Sequence, residues 1–99
     1  MDRKSILEAA DKCVCGDREQ SYGSPERNFD VIAELWSAYL NAKFDTRELN
    51  IFGDDVAAMM ILMKVGRTAS GRFKDDNWID IAGYAACGGE LQSAWKGDS

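Results

Sequence analysis

The chain has 99 residues, 45% of them hydrophobic, and carries 12 basic against 17 acidic side chains for a net charge of −5. That is the size of one domain, with apolar content enough for a core, yet so short a chain buries only about two-thirds of its unfolded surface, so self-association would help it. The acidic balance argues against general DNA or RNA binding, which needs a basic footprint, and the absence of histidine removes the commonest general base and pH switch.

The spacing predicts four helices and no strand, an all-α, four-helix, bundle-like small domain over residues 1–99. The first helix begins at Ser5, where "SILE" reads as a capping box with Ser5 as N-cap and Glu8 reaching back. Ile6, Ala9, Ala10, Cys13 and Val14 recur at helical spacing, and Gly16 ends the helix. The loop "GDREQSYG" leads to "SPERNFDVIAELWSAYLNAKF", with Ser24 as cap and Pro25 at the first helical position. Phe29, Ile32, Ala33, Trp36, Tyr39 and Leu40 mark its apolar face, with Asp30 and Glu34 one turn apart on another.

After the connector "DTRELNIFG" comes "DDVAAMMILMKVGRTAS", apolar nearly all round until Lys64 and capped by Gly71. A helix of this kind is central, covered by neighbours or by a partner subunit. The last helix starts near Asp75 or Asp76 and runs to about Trp95, with Ile79, Ala82, Ala86 and Leu91 toward the core. Its glycines, Gly83, Gly88 and Gly89, each lower helicity by about 1 kcal/mol against alanine. They suit close helix approach, although Gly88-Gly89 is also a place where the helix can break.

Cys13, Cys15 and Cys87 are odd in number and lack framework or zinc spacing, which points to reduced, structural thiols. "MDRKSILEAADKC" has no signal-peptide apolar region, and the longest apolar run, Val56 to Met63, is far short of a membrane span. The expectation is a soluble, intracellular protein with no membrane partner.

Three constellations can carry chemistry. Asp76 and Asp80 are four apart and share a helix face, as do Asp30 and Glu34, and antiparallel packing of the two helices would let four carboxylates meet. Such pairs hold Mg²⁺. The plainer alternative is that Asp75 and Asp76 complement the helix dipole. Lys64 and Arg67, followed by Arg72 and Lys74, form a local positive patch suited to phosphate oxygens, or else answer the C-terminal dipole and pair with nearby aspartates. In "SYGSPERNF", Tyr22 precedes exposed amides at a helix start and can stack on a base, or it is a staple residue while Gly23 allows a positive φ. Asn28 and Asn77 each neighbour an acid and can read a base or ribose edge.

The blocks "YGSPERNFDVIAELWSAYL", "DDVAAMMILMKVGR" and "KDDNWIDIAGYAACGGE" resemble successive segments of a phage and prophage family, the domain of unknown function DUF6378, from about Tyr22 to Glu90. That resemblance implies a bacteriophage accessory protein of the host bacterial cytoplasm with no assigned activity. The same blocks are more distantly similar to all-α nucleotide pyrophosphohydrolases of the MazG and dimeric dUTPase type, which hold Mg²⁺ with an ExxE pair and a later ExxD-type pair. In that similarity Asp76 and Asp80 could stand for the second pair. No ExxE occurs in this chain, and Asp30 and Glu34 are four apart.

The leading expectation is therefore a homo-oligomer that binds a small nucleotide or nucleotide-derived signal. In it Lys64 and Arg67 hold phosphate, Tyr22 stacks, and Asn77 and Asp80 bond base or ribose. No cofactor is required. The alternatives are a Mg²⁺-dependent nucleoside triphosphate pyrophosphohydrolase using Asp76 and Asp80, and a protein-binding module with an acidic surface.

Overall fold

The computed structural model describes residues 1–16 and 24–96. Four helices follow one another, α1 (Arg3–Cys15), α2 (Pro25–Lys43), α3 (Gly53–Ser70) and α4 (Asp75–Lys96), and the described residues contain no strand. The all-α expectation holds.

The helix ends follow from local chemistry. α1 starts two residues before the expected cap: Asp2, not Ser5, is the N-cap, and its carboxylate accepts the Ser5 N–H at 2.8 Å. Asp2 stands three residues ahead of Ser5, so the same rule that favours Ser5 favours Asp2, and the helix gains most of a turn. Gly16 closes α1 through its N–H to the Lys12 carbonyl. Ser24 and Pro25 open α2 as expected, with Ser24 Oγ accepting the Arg27 N–H at 3.2 Å. α3 begins at Gly53, where Asp55 accepts the Phe52 N–H at 2.9 Å. Gly71 ends α3 by donating to Arg67.

The connector from α2 to α3 is extended backbone tied back to α2. Asn41 donates to the Leu49 carbonyl and accepts the Leu49 N–H, both at 2.9 Å, and Ser37 Oγ accepts the Ile51 N–H at 2.8 Å. Asp45 turns the chain out of α2 at φ 51°, a left-handed conformation that aspartate tolerates.

α3 and α4 form an antiparallel pair, with Asp54 beside Gln92, Ala57 beside Gly88 and Lys64 beside Asp80. α1 packs on α4, and α2 packs mainly on α3. The core joins Phe29 and Ala33 of α2, Val56 and Ala57 of α3, and Cys87 and Leu91 of α4. Gly88 does not break α4. α3 comes close there, since a Cβ on Gly88 would sit 2.9 Å from Ala57 Cβ.

Two groups of expected core positions face outward instead. Tyr39 is exposed, because α2 turns only Phe29 and Ala33 fully inward, and Ala86 is exposed while Gly83 and Cys87 are buried in its place. α3 is not covered all round: Val56, Ala57 and Lys64 are buried, but Met59, Leu62, Met63 and Val65 remain exposed. Cys87 belongs to the core, whereas Cys13 and Cys15 are exposed on α1. No helix among the described residues is long and apolar enough to cross a membrane.

Candidate functional site

Lys64 stands on the inner face of α3, where an apolar residue would be expected. It is 9% exposed, and its ammonium lies 2.6 Å from Asp80 Oδ2 on α4. Burying a lysine unpaired would cost several kcal/mol, so Asp80 is the partner that lets α3 and α4 close over it. Asp80 keeps about a third of its side-chain surface open, so the pair sits at the edge of the interface.

One turn before Asp80 on the same face is Asn77. It is 7% exposed, and its side chain forms no hydrogen bond among the described residues. One turn beyond Lys64 on α3 is Arg67, which is exposed and forms no ion pair among the described residues. Lys64, Arg67, Asn77 and Asp80 thus gather where the C-terminal half of α3 meets the first turns of α4. Asp76 is exposed beside them and pairs with no cation among the described residues. Tyr22, the expected stacking residue, lies outside the described residues.

The expected meeting of four carboxylates does not occur within the chain. Asp30 Oδ1 lies against the start of α3, 2.9 Å from where a Gly53 Cβ would stand, beside Leu91. From Leu91 to Asp80 is roughly 16 Å along α4 at 1.5 Å per residue. α2 packs on the far end of the α3–α4 pair, which places Asp30 and Glu34 away from Asp76 and Asp80. No group of three or more metal-ligating side chains occurs among the described residues.

At that far end a cleft of about 260 Å³ is lined by Glu26, Asp30, Asp54, Phe52, Leu91 and Trp95. The Phe52 and Trp95 rings stack obliquely across it, 5.5 Å between centroids. Asp54 Oδ2 accepts from Gln92 at 3.2 Å, while Oδ1 is buried with no hydrogen-bond partner among the described residues. The spacing does not single out Asp54, Phe52 and Trp95, because Trp95 is far from the other two in the chain and only the α3–α4 pairing joins them.

Among known proteins, the family described as Domain of unknown function (DUF6378) matches residues 5–92. The chain is 43% identical over 84 residues to the Gene 55 protein of Mycobacterium phage D29, which is 85% of this chain and 51% of the relative. It is 41% identical over 81 residues to the Gene 55 protein of Mycobacterium phage L5, 82% of this chain and 48% of the relative. The chain thus spans about half the length of the curated relatives it matches. No solved structure matches.

Proposed function

We propose that this chain, which belongs to the DUF6378 family of phage proteins, acts in the host cytoplasm as a homo-oligomer that binds and sequesters a nucleotide or nucleotide-derived signal. Withholding such a signal from host enzymes would blunt a bacterial defence. One observation supports this above the others: Arg67 stands exposed with no acidic partner among the described residues, one turn from the buried Lys64–Asp80 pair. Asn77 stands beside the pair with its amide unbonded among the described residues, so a base or ribose edge can take the place of water there.

In this site Arg67 takes phosphate oxygens through its planar fork. Lys64, with one of its three donors on Asp80, offers the others to the same phosphate. Asn77 and the open part of Asp80 bond the sugar or base, and Tyr22 stacks on the base. The Mg²⁺-dependent hydrolase alternative would need Asp76 and Asp80 joined by the carboxylates of α2, and Asp30 lies at the other end of the α3–α4 pair, beside Gly53.

The test is mass spectrometry of small molecules released by heating the protein purified from phage-infected cells. An intact nucleotide in the release supports sequestration. Release of only a hydrolysed product, with Mg²⁺-dependent turnover in solution, replaces it with the hydrolase. Protein that carries no nucleotide but retains a host protein replaces both with a protein-binding module.

A further inference from the structure

The exposed face of α3 has a pattern that its packing within the chain does not use. Ala58, Leu62, Val65 and Ala69 are spaced by alternating steps of four and three residues. This is the seam of a helix that packs on another helix, as in a coiled coil. All four are exposed on α3. Leu62 is 68% exposed and Val65 48%. Met59 and Met63 flank the seam and are also exposed, and a Cβ at Gly66 would meet nothing within 4 Å.

The seam is complementary to itself when reversed. Its order is small, large, large, small. About a two-fold axis between Leu62 and Val65, Leu62 meets Val65 of a second copy and Ala58 meets Ala69, each contact made twice. A two-fold interface requires this reciprocity. Alanines at both ends let the backbones approach to about 8–10 Å. The antiparallel arrangement also sets the acidic N-terminal turn of one α3 beside the basic C-terminal end of the other, as the helix dipoles favour.

We infer that α3 is a homodimer interface, packing antiparallel on α3 of a second copy through Ala58, Leu62, Val65 and Ala69. This rests on, and deepens, the homo-oligomer part of the function proposed above. The seam, its methionines and the neighbouring Phe73, which is 81% exposed, offer roughly 600 Å² per copy, or about 1,200 Å² in all, the lower end for a specific complex.

Sedimentation of the full chain at micromolar concentration tests it. The wild type is expected at twice 11.0 kDa. Leu62→Glu, which places a charge at the centre of the seam, gives a monomer whose circular dichroism is unchanged, since Leu62 has little role within the chain. Val65→Glu, at the position that faces Leu62 across the axis, does the same. A monomeric wild type, or a dimer indifferent to Leu62→Glu or to Val65→Glu, would overturn the interface. A dimer that binds no nucleotide defeats only the ligand assignment, and a monomer that binds one defeats only the seam.

Discussion

At the level of single residues, the buried ion pair carries an asymmetry that stability measurements can read. Lys64 is 9% exposed while Asp80 keeps about a third of its side chain open. Replacing Asp80 by asparagine strands an ammonium inside the α3–α4 interface. Replacing Lys64 by methionine strands only a carboxylate that water can reach. Asp80→Asn is therefore expected to cost about 3 kcal/mol and Lys64→Met about 1 kcal/mol or less. Urea unfolding of the two variants checks the order, and equal losses would mean the pair is solvated from both sides. The N-cap of α1 gives a second residue-level prediction. The Ser5 N–H bonded to Asp2 holds that carboxyl below its ordinary value of 3.8. Its folded value is the lower one, so its contribution is complete above about pH 4 and is lost as pH falls through the lowered value. Amide exchange in the first turn of α1 should quicken in Asp2→Ala but hardly change in Ser5→Ala. The reverse would restore Ser5 as the cap. The sequence contains both candidates, and the cap rule alone ranks them equally, so only backbone geometry separates them.

Among the helices, the glycines of α4 separate close packing from mere tolerance. Gly88 lies where a Cβ would come within 2.9 Å of Ala57 Cβ, whereas a Cβ on Gly89 meets nothing within 4 Å. Gly89→Ala should stabilise by up to about 1 kcal/mol through helix propensity. Gly88→Ala should destabilise by about 1–3 kcal/mol, because α3 and α4 must part to admit the methyl group. Thermal melts of the two variants should move in opposite directions, and two stabilised proteins would deny the close contact. Helix existence and order were legible because Ser24-Pro25, Gly16 and Gly71 punctuate the chain and the apolar spacing between them is regular. The inward face of α2 was read too widely, since Tyr39 continues the periodic stripe but finds no neighbouring helix to cover it. Periodicity reports which face is apolar, not how far along it another element reaches.

For the whole molecule, the radius of gyration is 14.9 Å, against about 13 Å for a compact domain of 100 residues. The excess agrees with a chain that packs one end of α2 against α3 and leaves apolar faces outward. The candidate site was only partly legible for the same reason. Lys64 and Arg67 announce themselves by interrupting an apolar helix, and Asn77 and Asp80 share a face one turn apart. Which carboxylate would meet Lys64, and that Asp30 would lie at the opposite end, depends on the antiparallel register of α3 and α4. That register is set by the close fit of Gly88 on Ala57, which spacing within either helix does not encode. The nucleotide site itself is tested most directly by melting wild type and Arg67→Ala with and without the nucleotide released from the purified protein. Ligand at a hundred times its dissociation constant should stabilise the wild type by about 2.7 kcal/mol. Without ligand the two proteins should melt together, since Arg67 has no ion pair to lose among the described residues, and removing its fork should weaken binding by about 1.5–3 kcal/mol. An Arg67→Ala protein that melts well below the wild type without ligand, yet gains as much from the nucleotide, would contradict the site.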